Sequence, residues 1–299
     1  MGCGLSVEDH NRLAHEVDVI YHIGAWVHHV MDYATLYRTN VQSTVALLRL
    51  ATRVKNKALH YISTLGAHHI SPLERLQVVS ADSEEVSWNS NGYLLTKWVS
   101  EQLLEVAVQR GIVAHVYRPG NIIAGASGIY EPEANHALLR LKGMIQLGKA
   151  YVEPHEMLEM MPVDRLASAL VHLARNPQQF SYNLHNAQSI AWVDYLTMVQ
   201  AMGYPLQFLQ NEAEWDVLLD HLDEQNALYK LVFLYKRNRT VRQARVQLPV
   251  LVPDYVMTVP TYVELIRQQV LSLQAAGFLR APSLIRPYGA PSPTSGRRE

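Results

Sequence analysis

Apolar and polar positions alternate along this chain in two rhythms, and the balance between them changes near its middle. Residues 17–22 (VDVIYH) form a short β-rich run closed by Gly24-Ala25. Residues 36–52 place Val41, Thr44, Val45, Leu47, Leu48 and Leu50 at helical spacing. A second strand is expected over 59–62, ending at Ser63-Thr64, and a helix over 92–110 that stops at Gly111, a residue suited to a left-handed cap. A third strand, 113–117, is halted by Pro119-Gly120. Ahead of them all, Gly4-Leu5-Ser6 reads as a helix start, with Ser6 as N-cap and Asp9 three residues on. Short strands separated by amphipathic helices imply βαβ units and a parallel sheet.

After residue 126 the rhythm becomes mostly helical. A helix over 163–174 and a strand over 182–185 return to the first pattern, and helices are expected near 191–202, 211–223, 226–237 and 260–276. The expected organisation is therefore a parallel α/β core over 1–126, rejoined by 160–186, with a smaller, mostly helical cap within 127–280 beside which a substrate cleft can form. Residues 281–299, rich in Pro, Gly, Ser and Arg, are expected to be a disordered tail.

Composition narrows the function classes. With 299 residues, 48% hydrophobic and 18% charged, the chain can bury a globular core. A net charge of -1 gives no reason to expect nucleic acid or an anionic membrane surface as partner. Cys3 is the only cysteine, which excludes a disulfide framework and a thiolate metal site and fits a reducing compartment. No apolar run reaches the roughly 18–20 residues that span a bilayer, and no charged-then-apolar signal segment opens the chain, so the expected location is the cytoplasm. Met1-Gly2-Cys3-Gly4-Leu5-Ser6 also fits a myristoylation pattern, which competes with the plainer reading of Ser6 as a helix cap. Fourteen histidines raise the question of a metal. The pairs His28-His29 and His68-His69 point apart on any regular backbone, with no acid or cysteine at ligand spacing, so no metal is expected. Trp88, Trp98, Trp192 and Trp215 read as packing residues, and Arg237, Arg239, Arg242 and Arg245 as a solvated face or a dock for an acidic carrier.

The candidate chemistry gathers at strand ends. Tyr93 and Lys97, four apart in an expected helix, leave the same face. A nearby ammonium is expected to lower the phenol from its usual value near ~10 by roughly 1–3 units, making it a proton donor or acceptor. Ser63 and Thr64 end one strand and Arg118-Pro119-Gly120-Asn121 the next, the edge where open α/β sheets bind ligands.

Taken in order, His22-Ile23-Gly24-Ala25, Asn40-Val41 with Thr44, Ser63-Thr64, Tyr93-x-x-x-Lys97 and Tyr117-Arg118-Pro119-Gly120 resemble the extended short-chain dehydrogenase/reductases. The run Tyr61 to Thr64, Tyr93 to Trp98 with Glu101, Met161 to Asp164, Tyr182 to Asn186, Trp192, Gly203 to Leu206 and Trp215 make the chain similar to the thioester reductases that end nonribosomal peptide synthetases and carboxylic acid reductases. The likeness runs from about residue 4 to 280. It implies a Rossmann-type doubly wound parallel sheet, NADPH or NADH as cofactor, and reduction of an acyl or peptidyl thioester held on a phosphopantetheinyl carrier protein. By the same resemblance Tyr93 is the proton donor, Lys97 tunes it and holds the nicotinamide ribose, and Thr64, or alternatively Ser63, binds the thioester carbonyl oxygen. Asn40 steadies the lysine and its water relay. His22, Gly24 and Ala25 lie toward the adenosine side of the cofactor, with Pro119, Gly120 and Asn121 near the nicotinamide.

One family element has no counterpart. The glycine-rich TGxxGxxG turn that receives the cofactor pyrophosphate is missing, and Gly2-x-Gly4 has neither a preceding strand nor a third glycine. The expectation is a sheet that is N-terminally incomplete. Rival readings are a fatty-acyl-CoA reductase or sugar-nucleotide epimerase or dehydratase of the same superfamily, and a non-catalytic binding protein.

Overall fold

The computed structural model describes residues 4–28, 30–68, 91–128, 131–232 and 253–282. They fall into two compact units: Met1–Ala126 with Glu159–Ser189 and Thr240–Val259, and Ser127–Leu158 with Ile190–Arg239 and Pro260–Glu299.

In the first unit the elements are α1 (Val7–Glu16), β1 (Val19–His22), α2 (Tyr33–Thr52), β2 (Ala58–Ile62), α3 (Leu65–His68), α4 (Gly92–Gln109), β3 (Ala114–Pro119), β4 (Ile122–Ile123), β5 (Met161–Pro162), α5 (Val163–Arg175) and β6 (Ser181–Leu184). Local chemistry sets their ends. Ser6 caps α1 by accepting the Asp9 N–H at 3.0 Å, as the sequence implies. Asp32 caps α2 through the Thr35 N–H, and Asn91 caps α4 through Leu94 N–H. Gly111, at φ 88°, carries the chain out of α4 in the left-handed region.

Four strands pair in parallel in the order β1-β2-β3-β6, with β4 pairing β5 separately. Neighbouring side chains on a strand face opposite ways, so each strand feeds two cores. Leu59, Tyr61, Ala114 and Val116 pack with Ala14, Leu50, Ala51 and Leu104 from α1, α2 and α4. Ile62, Tyr117, Tyr182 and Leu184 pack with Leu166, Leu170 and Leu173 of α5 on the other side. Helices on both faces of a parallel sheet make this a Rossmann-like α/β layer structure. His60 belongs to the second face, where its Nδ1 lies 2.9 Å from the Tyr117 hydroxyl.

The second unit is mostly helical. Helices span His136–Leu147, Trp192–Ala201, Glu212–Asp220 and Tyr262–Ala275, with two-residue strand pairs between Lys149–Ala150 and Gln207–Phe208 and between Met157–Leu158 and Ile190–Ala191. The described part of the helix expected over 226–237 holds a 3-10 turn, Tyr229–Leu231, followed by Val232 in helical conformation. The buried Arg140 is paired with Glu156 and lies over the Trp192 ring at 4.5 Å, so Trp192 packs, as does the buried Trp215. Trp88, Arg237, Arg239, Arg242, Arg245, Met1-Gly2-Cys3, His29, His69 and the tail beyond 282 lie outside the described residues. Among the described residues no helix is long and apolar enough to cross a membrane and no group of His, Cys, Asp and Glu is arranged to hold a metal.

Candidate active site

Parallel pairing brings the ends of β1, β2, β3 and β6 to one edge, through the registers His22↔Tyr61, Ile62↔Tyr117 and Pro119↔Leu184. Ile23-Gly24, Ser63-Thr64, Gly120-Asn121 and His185-Asn186 therefore leave the sheet together. Helix α4 runs beside that edge because two i, i+4 pairs meet across the α2–α4 contact. Asn40 donates to Thr96 Oγ1 at 3.0 Å, and the Thr44 and Ser100 hydroxyls lie 3.2 Å apart. Gly92 fixes the approach, since a Cβ there would overlap the backbone of Met31, Asp32 and Tyr33 at the start of α2. Tyr93 follows directly.

Tyr93 and Lys97 sit one turn apart on α4, and both are largely withdrawn from water. Lys97 Nζ donates to the Ile62 carbonyl at 2.5 Å and lies 4.3 Å from the centre of the Tyr61 ring. Burial holds Lys97 down at about 7, partly offset by Glu101 one turn further on. The Tyr93 phenol departs from expectation. Burial pushes it up to about 12 instead of the neighbouring lysine pulling it down. The reason is that desolvation disfavours the phenolate and the ammonium alike, so neither stabilises the other enough to reverse it. Tyr93 consequently keeps its proton at neutral pH.

Ser63 is buried, its N–H donates to Tyr117 O at 2.7 Å, and its Oγ has no hydrogen-bond partner. Thr64 beside it is half-buried and accepts the Ala67 N–H on its carbonyl. Asn40 is held by direct hydrogen bonds on both sides. Its amide exchanges two hydrogen bonds with the Trp26 backbone, at 2.8 and 3.1 Å, and gives its other hydrogen to Thr96. It pins the loop after β1 and meets α4 through the Thr96 hydroxyl, next to Lys97 in the sequence. That loop holds Gly24 exposed, with no atom within 4 Å of where a Cβ would stand, and Ala25 half-buried. His22 is turned inward, 3.3 Å from Ser43 Oγ, and burial with Lys97 nearby lowers it to about 4.

Pro119 is buried and Gly120 and Asn121 half-buried. They are organised by a residue that the sequence pattern did not single out. Glu159 accepts the Asn121 N–H and the Asn186 N–H, each at 2.6 Å, one on each carboxylate oxygen. It thereby ties the end of β3 to the end of β6. Burial raises its carboxyl to about 7 despite both bonds. Gly120 is required because a Cβ would run into this carboxylate and the His185 Cβ. His185 Nε2 is buried without a partner. The only signal for Glu159 was one acid within the apolar run 157–162.

The geometry thus combines an exposed glycine loop, a buried lysine, a protonated tyrosine and an unsatisfied hydroxyl at one sheet edge. The chain is 34% identical over 219 residues to a component of the linear gramicidin synthase of Brevibacillus parabrevis, covering 71% of this chain and 4% of that protein. It is 31% identical over 257 residues to L-2-aminoadipate reductase of Saccharomyces cerevisiae, covering 79% of this chain and 18% of that protein. The chain therefore spans a small part of these curated relatives. Its fold matches the crystal structure of the terminal R domain from the myxalamid PKS-NRPS biosynthetic pathway with a TM-score of 0.71 and 27% identity, over 93% of this chain and 73% of that one. The family model described as male sterility protein, an NAD-binding domain, matches residues 1–170, more than half of the sequence. On that match the chain belongs to the male sterility family of NAD-binding domains, within the extended short-chain dehydrogenase/reductases.

Proposed function

We propose that this protein performs nicotinamide-dependent reduction of an acyl or peptidyl thioester carried on a phosphopantetheinyl carrier protein, giving an aldehyde or an alcohol. The observation that carries the reading is the pairing of a buried, unsatisfied Ser63 hydroxyl at the end of β2 with Tyr93 and Lys97 on one face of α4. In this reading residues 1–126 with 160–186 hold the cofactor and 127–280 the acyl chain. The residues suit the adenosine and nicotinamide ends of a dinucleotide, while the turn that receives the pyrophosphate has no counterpart in the sequence. Gly24 leaves open space beside Ala25 and His22, Lys97 suits the nicotinamide ribose, and Pro119, Gly120 and Asn121 suit the nicotinamide. NADPH, or NADH, when bound there supplies a hydride.

Thr64, or Ser63, donates a hydrogen bond to the thioester carbonyl oxygen and so favours the negative charge that develops there. Tyr93 holds a proton on its hydroxyl and gives it to that oxygen. In its ammonium form Lys97 assists by stabilising the phenolate left behind, and Asn40 keeps the loop carrying Gly24 and Ala25 in place. Carbon gains hydride, oxygen gains a proton, and the resulting thiohemiacetal breaks its C–S bond to give aldehyde and free thiol. A second hydride and proton yield the alcohol. Loss of NADPH absorbance with an acyl thioester on carrier protein, compared with the same acyl group on coenzyme A and with a sugar nucleotide, tests the reading. Oxidation with the carrier thioester is the expected result. Turnover confined to the coenzyme A ester or the sugar nucleotide would replace the substrate class, and binding without turnover would replace the activity.

A further inference from the structure

Lys97 is a cation held 2% exposed, and such a group is costly unless something replaces its water. Two contacts do so: the Ile62 carbonyl at 2.5 Å and the face of the Tyr61 ring, 4.3 Å from its centre. Around the ammonium, Glu101 stands one turn along α4 but is already bonded to Arg118 of β3 through both carboxylate oxygens. His22 of β1 is kept neutral by burial, and Tyr93, one turn back, keeps its proton. Among the described residues no carboxylate makes an ion pair with Lys97. Tyr61 is itself 1% exposed and packed in the core beneath α4, with its hydroxyl directed to Ser100 and Thr44. An aromatic face carries negative partial charge, and it is worth most to a cation where water is excluded.

We propose that Tyr61 is a positioning residue whose ring face seats the Lys97 ammonium at the end of β2 and favours its protonated form there. The hydroxyl of Tyr61 serves the α2–α4 contact and the ring serves the lysine, so the two parts of one side chain have separable roles. The consequence for turnover rests on the reductase reading; the seat itself does not.

The test follows Lys97 directly in the full chain, without cofactor or substrate. Lysine labelled with 13C at the ε carbon gives a signal identified by its absence in Lys97→Met, and its midpoint is read as pH is varied. Tyr61→Phe, which keeps the ring, leaves the midpoint within a few tenths of a unit. Phenylalanines at position 61 bearing successive ring fluorines keep the shape while draining the π charge, and they lower the midpoint stepwise by about one pH unit in all. Tyr61→Leu lowers it as well; if that variant does not fold, the fluorinated series still decides. An unchanged midpoint across the fluorinated series overturns the proposal. A midpoint that moves while the pH profile of thioester reduction does not would uphold the seat and remove Lys97 from the reductase mechanism.

Discussion

Arg118 at the end of β3 grips Glu101 of α4 through both carboxylate oxygens, with a shortest separation of 2.6 Å and side chains only 13% and 3% exposed. The pair locks the turn of α4 that follows Lys97 to the strand that leads into Gly120. Removing one partner strands a buried charge. Glu101→Gln is therefore expected to cost about 3 kcal/mol or more in urea unfolding. It should also lower the Lys97 midpoint, because the Glu101 charge opposes the effect of burial there. Unfolding within ~0.5 kcal/mol of wild type would mean that the pair is solvated.

Tyr93→Phe tests the proton donor. Turnover is expected to fall by about 10²–10⁴-fold, the usual worth of a positioned acid, while unfolding stability changes little because only a hydroxyl is lost. Turnover at the wild-type level would take Tyr93 out of the mechanism.

Ser63 and Thr64 separate by a comparison of stability with rate. The Ser63 hydroxyl is buried and unsatisfied, so Ser63→Ala is expected to be neutral or stabilising, by up to about 1 kcal/mol. Thr64→Val is expected to reduce turnover by roughly 10²-fold while cofactor affinity persists, with Ser63→Ala milder. The reverse order in turnover transfers the carbonyl contact to Ser63.

Acid should loosen the fold in a defined window. His22 and His60 are held by burial at about 4, against 6.5 in an unfolded chain. Between those values the unfolded state binds protons that the folded state refuses, so stability falls as pH drops from 6.5 toward 4. Glu159 acts in the opposite sense between 7 and 4.5, since its folded value is raised and the folded state takes up the extra proton. Two histidines against one carboxyl leave a net loss of at most about 1.4 kcal/mol per pH unit from 6.5 to 4.5. Lys97, lowered to about 7 from 10.5, makes stability rise with pH above 7. Urea midpoints measured from pH 4.5 to 9 check these signs; a midpoint that rises as pH falls below 6.5 would mean that both histidines are solvated and Glu159 acts alone.

The sheet and its helices were legible because β1, β2 and β3 are compact apolar runs, and because Ser6 and Gly111 mark helix ends by their own chemistry. The helix His136–Leu147 was not, although Asn135 caps it and Gly148 ends it at φ 64°. Leu138, Leu139, Arg140, Leu141, Met144, Ile145 and Leu147 are all buried, so the helix is covered on most of its circumference and shows no stripe. At the site, the residue types and the shared strand edge could be read from spacing. The partners could not. Lys97 with Ile62, Asn40 with Trp26 and Glu159 with Asn186 join residues far apart in sequence, and the upward shift of the Tyr93 phenol depends on how deeply α4 is buried.

Gly92 and Tyr93 are neighbours with opposite relations to chemistry. Gly92 has no functional group, yet any side chain there would press on the backbone at the start of α2 and push the first turn of α4 aside. A saturation survey of this segment scored by activity would therefore find 92 at least as intolerant as 93. Only a thermal-unfolding readout run in parallel would separate them, with Gly92 variants melting early and Tyr93→Phe melting like the parent. Intolerance to substitution along this helix thus reports steric fit first and catalysis second.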